Sequence, residues 1–135
     1  MWRLVLLLPA LAACVFDPNG PGISGEVPGL PGIARPINEY YYRFGVEEHG
    51  RCRAPQVVAY FAGEVLEDTP ERLVVRVRYQ YRDDAYDTEN AISGFVTCRG
   101  RGERRFVLDK DGESYTVVRM SGPSSAPPSQ GGTPG

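Results

Sequence analysis

The sequence predicts an α+β fold, with one N-terminal helix packed on an antiparallel β-meander of four to five strands. Three observations carry this reading. Residues 72–82, RLVVRVRYQYR, alternate apolar and polar side chains without a break. Residues 37–49 place Ile37, Tyr40, Tyr41, Phe44 and Glu48 on one face at spacings of three and four. Turn signals at 68–71 (DTPE) and 109–112 (DKDG) separate the apolar runs. A small all-β sandwich or barrel is the alternative architecture.

The 72–82 stretch organises the rest. Successive side chains of a strand point to opposite faces. Leu73, Val75, Val77, Tyr79 and Tyr81 therefore form an apolar face, and Val74, Arg76, Arg78, Gln80 and Arg82 a wet one. A parallel strand, buried on both faces, would read as a continuous apolar run instead.

Before it, the helix at 37–49 has Pro36 suited to its first turn, Glu39 at its positive end and Gly50 as a stop. Gly45 weakens it from inside. Tyr40, Tyr41 and Phe44 are expected to cover the sheet while Tyr42 faces water; the sharper reading is that the tyrosines stack on a sugar ring. Ala54-Pro55 blocks any continuation of the helix. Residues 56–66 are ambiguous, because Val57, Val58, Phe61 and Val65 fit helical spacing, whereas the half from Gly63 onward reads as a strand.

After it, residues 83–91 read as an acidic loop and 92–98 as a third strand. Gly100-Arg101-Gly102 is expected to turn the chain into a strand at 104–109, with Phe106 and Leu108 inward. The DKDG hairpin then leads to a closing strand at 114–120.

A chain of 135 residues suffices for one domain. Its 15 basic and 17 acidic residues argue against a dedicated nucleic-acid binder. Fourteen of the fifteen basic residues are Arg, which we read as coding bias of a GC-rich genome. The opening residues carry export logic: Arg3 is a short positive region, residues 4–11 are apolar, and Ala12-Ala13 are small. The run is too short to span a bilayer. Leu11-Ala12-Ala13-Cys14 resembles the lipobox of bacterial lipoproteins. The resemblance implies a signal peptide over residues 1–13, cleavage before Cys14, and acylation of Cys14. Val15, where an inner-membrane retention signal would have Asp, implies the outer membrane, facing the periplasm. Two or three acyl chains would hold the protein on the membrane, at roughly 0.8 kcal/mol per buried methylene. Removing residues 1–13 leaves 14 basic against 17 acidic residues, so electrostatic adhesion to anionic lipid is not implied.

Residues 14–36, rich in proline and glycine, are expected to form a tether. Residues 37–120 are expected to be the globular domain, and 121–135 a disordered tail. The core segments RCRAP and DTPERLVVRVRYQYRD also resemble small exported proteins of proteobacteria with no assigned function. That resemblance carries no active site.

Cys52 and Cys98 are expected to form a disulfide, as exported cysteine pairs do. Two alternatives stay open: His49, Cys52 and Cys98 as zinc ligands, or Cys52–His49 as a nucleophile–base pair. Asp83, Asp84, Asp87, Glu89 and Asn90 offer oxygen ligands for calcium, although the spacing is not that of an EF-hand. Arg76, Arg78 and Arg82 form a cationic row that could hold an anionic sugar, a lipid head group or an acidic partner. The plainer reading pairs them with Glu64, Glu67 or Glu103. Candidate ligand-binding residues are thus Arg76, Arg78, Arg82, Tyr40 and Tyr41. No cofactor or metal is expected, and no catalytic motif such as G-x-S-x-G or H-E-x-x-H occurs.

Two functions are consistent with these features. The first is a non-enzymatic envelope lipoprotein that binds a protein or glycan partner. The second is a small hydrolase or ligand carrier with a cone-shaped cavity between helix and sheet.

Overall fold

A computed structural model describes residues 25–89 and 97–126. Cys14, most of the strand expected at 92–98, Asn90 and the chain beyond 126 lie outside them; Thr97 and Cys98 belong to no strand. The fold is mixed α+β. Strands β1 (Gln56–Asp68), β2 (Arg72–Arg82), β3 (Arg99–Asp111) and β4 (Ser114–Met120) form one antiparallel sheet in the order β1-β2-β3-β4. Helix α1 (Ala34–Phe44) precedes the sheet, and a short helix α2 (Asp84–Glu89) follows β2.

β2 has the two faces its alternation predicts, except that Val74, expected on the wet face, is buried, as an apolar side chain there would be. Leu73, Val75, Val77, Tyr79 and Tyr81 are buried, whereas Arg76, Arg78 and Gln80 are exposed. The inner residues share one buried cluster with Ile33, Ala34, Ile37 and Tyr41 from the α1 side, and with Phe106, Leu108, Val117 and Met120 from β3 and β4.

β1 resolves the ambiguity at 56–66. It is strand throughout, but its register to β2 slips between Val57 and Ala59, between Tyr60 and Ala62, and between Val65 and Glu67. Each bulge inserts an extra residue and shifts the phase of the period-two pattern. A strand with such shifts mimics helical spacing in sequence, which is why Val57, Phe61 and Val65 read as one helix face.

Helix α1 starts three residues earlier than expected and ends five earlier. The first helical bond runs from Ile37 N–H to Ile33 O, so Pro36 sits in the first turn, where its missing N–H has no intrahelical partner to lose. Gly45 ends the helix instead of sitting inside it. Its backbone is extended, and a Cβ there would lie 2.6 Å from Tyr41 O.

The folded unit outruns the expected 37–120 at both ends. Val27 and Ile33 are 1% exposed, and Val27 presses on Gly63 of β1, where a Cβ would come within 2.5 Å of it. Part of the expected tether is therefore core. On the far side, Ser124 bridges to Gly45 and Ser125 N–H donates to Phe44 O. The acidic stretch is also not simply a loop. Asp83 Oδ1 accepts from Tyr86 N–H at 3.0 Å, an N-cap that starts α2.

Gly100 and Gly102 do not turn the chain. They lie within β3, opposite Tyr81 and Tyr79. A Cβ at Gly102 would stand 2.5 Å from the Tyr79 hydroxyl, and one at Gly100 2.7 Å from that of Tyr81. The glycines clear the inner face so that both rings lie across β3. We expect Gly102→Ala to destabilise the protein by about 1–3 kcal/mol through overpacking. A lowered urea midpoint with an unchanged slope is the readout; an unchanged midpoint would mean that the Tyr79 ring moves aside freely.

Candidate functional site

The inner and outer faces of the sheet carry different chemistry. At the centre of the inner face, Arg104 is 3% exposed and paired with Val77 across β2. A guanidinium offers five N–H donors, and Arg104 makes five hydrogen bonds. Nε donates to Tyr79 Oη at 2.7 Å. Nη1 donates to Ser121 O and Pro123 O at 2.9 and 2.8 Å. Nη2 donates to Val46 O at 2.8 Å and Glu47 Oε1 at 3.0 Å. The same Glu47 oxygen accepts from the Tyr41 and Tyr79 hydroxyls at 2.9 and 2.6 Å. Tyr81 donates to Glu48 Oε1 at 2.5 Å.

Local backbone brings these carboxylates in. Glu48, His49 and Gly50 follow one another in the left-handed region, at φ of 53°, 55° and 90°. Such values are uncommon for residues with a side chain and persist only where the surroundings fix them. Here the bend is closed by two backbone bonds between Glu47 and Cys52, and Cys52 is disulfide-bonded to Cys98 with a Cα–Cα distance of 5.8 Å. Closing 46 residues is worth about 4 kcal/mol by the chain-entropy estimate. The bond also uses both thiols, which removes the zinc and cysteine-nucleophile alternatives. His49 is exposed.

Burial raises the pKa of Tyr41, Tyr60, Tyr79 and Tyr81 well above the ordinary tyrosine value. Neighbouring carboxylates add to the effect at Tyr41 and Tyr81; Arg104 opposes it at Tyr79. Burial disfavours the charge on Arg104, but Tyr79 and Glu47 outweigh it and raise its pKa.

On the outer face the expected arginine row is present and largely paired. Arg76 meets Glu64 at 3.1 Å and Glu103 at 3.8 Å, and Arg78 meets Glu103 at 3.7 Å. Cross-strand pairing with Glu64 and Glu103 thus accounts for these two. Arg82 Nε lies 2.6 Å from Asp84 Oδ1, off the direction a hydrogen bond needs. Asp87 binds Arg99 at 3.0 Å and also accepts from Cys98 N–H. That backbone bond, with Arg99, lowers the Asp87 pKa.

The sequence reading missed the arginines of β3 and β4. Arg101, Arg105 and Arg119 are exposed and have no ion pair among the described residues. Arg101 lies over the Phe61 ring, 4.6 Å from its centroid. The signal was available: once the glycines are strand residues, Arg99, Arg101, Glu103 and Arg105 alternate outward. Two shallow hollows open on this face. One, of about 240 Å³, is lined by Arg76, Glu103, Arg104, Arg105 and Ser121. The other, of about 280 Å³, is lined by Ala62, Gly63, Glu64, Arg76, Arg78 and Glu103.

Of the candidate tyrosines, Tyr41 is fully buried and cannot stack on a sugar, and Tyr40 is half-buried against the Phe44 ring. Tyr42 faces solvent. Among the described residues no group of three or more His, Cys, Asp or Glu is placed to hold a metal ion. Comparison with protein-family models, with curated proteins and with solved structures finds no match in any of the three.

Two outcomes test the inner network. Arg104→Met should cost about 3–5 kcal/mol, because it leaves the Glu47 carboxylate without its cation and takes a donor from three carbonyls. Pairing it with Glu47→Leu should recover part of that loss in chemical denaturation. The tyrosines give a pH dependence. Their folded pKa values lie above the unfolded value near 10, so the unfolded chain releases protons first and stability falls as pH rises through that value. Near-ultraviolet titration should show exposed tyrosines ionising first and these four only as the protein unfolds; a single smooth transition would contradict it.

Proposed function

We propose that the protein is a bacterial envelope lipoprotein, anchored through Cys14 and without catalytic chemistry of its own. Its helix-covered sheet presents the outer face to a protein or glycan partner. The observation that carries this reading is the outer face itself, where Arg101, Arg105 and Arg119 stand exposed beside the paired row of Arg76 and Arg78. Arginine forks bind carboxylate and phosphate bidentately. Two further features support it. The lipobox-like residues precede Cys14. The Cys52–Cys98 bond suits an oxidising compartment. No helix of the described residues is long and apolar enough to cross a membrane.

The reading as a small hydrolase or carrier calls for room between helix and sheet. There the Tyr41 and Tyr79 rings meet edge to face at 5.0 Å, and Ile37 and Phe106 are wholly buried beside them. A surface site is therefore better supported than an internal one.

The test uses protein isolated without reductant from the membranes of its bacterial source, carrying a photo-reactive residue in place of the exposed Gln80. Before irradiation the intact mass should equal residues 14–135 with the replacement at position 80, plus acyl groups, less two hydrogens. After irradiation an adduct should appear that Arg101→Glu abolishes. An unacylated mass would refute the anchor, and the absence of any adduct would refute the surface.

A further inference from the structure

We propose that the two adjoining outer hollows bind a phosphorylated sugar, with the phosphate between Arg76 and Arg105 and the sugar over Ala62 and Gly63. This rests on the reading of the outer face as a binding surface and names its ligand.

The strand register supplies the argument. Arg76 and Arg105 are direct cross-strand partners on the outer face, and so are Arg82 and Arg99. Like charges directly opposite one another are destabilising. The protein neutralises the second pair itself. Residues of the α2 segment bring Asp84 to Arg82 at 2.6 Å and Asp87 to Arg99 at 3.0 Å. The first pair is only half neutralised. Arg76 has Glu64 and Glu103, while Arg105 has no carboxylate partner among the described residues. The hollow of about 240 Å³ opens beside Arg105, with Ser121 on its wall. An anion seated there completes at Arg76 and Arg105 what Asp84 and Asp87 complete at the other pair.

The chemistry of the walls selects the anion. The Arg105 guanidinium, unpaired among the described residues, with the partly neutralised Arg76 on the same wall, suits the several terminal oxygens of a phosphomonoester. Bare phosphate fits less well, because it fills only the first hollow and brings no donor groups to Glu103 and Glu64 of the second. Sugar hydroxyls are donors and satisfy Glu103 and Glu64. The second hollow, sharing Arg76 and Glu103 with the first, offers them that contact above a floor of small residues.

Calorimetric titration of the full chain in mild detergent, with glucose 1-phosphate, inorganic phosphate and glucose as probes, decides the matter. Glucose 1-phosphate should bind, and more weakly as salt rises. Inorganic phosphate should bind at least about tenfold more weakly, and glucose alone should give no heat. Arg105→Gln should weaken sugar-phosphate binding at least about tenfold without lowering the melting temperature, since that side chain is exposed, makes no ion pair among the described residues and faces the like charge of Arg76. Equal affinity for inorganic phosphate, binding untouched by Arg105→Gln, or no binding of the sugar phosphate would each overturn the assignment. If the Gln80 photo-adduct persists in that last case, the surface reading stands and only the ligand falls. If both vanish, the surface reading falls as well.

Discussion

The Arg104 guanidinium is the constraint on which the rest of the structure depends. It joins β3 to β2 through Tyr79, to the α1 side through Val46 and Glu47, and to the C-terminal segment through Ser121 and Pro123. A buried ion pair adds little net stability over well-packed apolar residues, because desolvation offsets most of the Coulomb gain. Its weight lies in geometry. Five donors with five acceptors leave one arrangement of four chain segments, and any slip strands a charge in the core.

That inner arrangement decides what the outer face can be. In a strand one residue of slip exchanges the faces completely. Arg104 inward forces Glu103 and Arg105 outward, and Tyr79 and Tyr81 lying over Gly102 and Gly100 fix the same register from the β2 side. The outer arginines therefore owe their positions to contacts on the opposite side of the sheet. The disulfide belongs to the same system, since it secures the left-handed bend at 48–50 from which Glu47 and Glu48 reach the tyrosines.

Much of this was legible in the sequence, and the failures have a common physical origin. β2 announced both its faces because nothing interrupts its period of two. β4, the first hairpin and the Cys52–Cys98 pair followed from local chemistry as well. β1 was half hidden because three bulges reset its phase. β3 was cut short because glycine was taken for flexibility, when its role is to be small beneath a tyrosine ring. The inward Arg104 broke the rule that charge faces water, and only its five partners, spread from Val46 to Pro123, explain the exception. Those partners are distant in sequence, three of them backbone carbonyls with no identity a sequence reveals. The core roles of Val27 and Ile33 were concealed for a related reason, since each is an isolated apolar residue among prolines and glycines.

The irregularity of β1 has a meaning for the protein among its own kind. An open sheet ends in two strands whose outward N–H and C=O groups can recruit any passing strand, and regular, flat edges are the seeds of amyloid-like stacking. β1 is one of those ends and carries exposed Phe61, Val65 and Leu66, a hazardous composition for such a place. Its bulges twist the strand and break the even ladder a newcomer would need to extend. The feature that obscured β1 in the sequence thus serves as its protection against aggregation, and a variant that straightened the strand would exchange a soluble edge for a template.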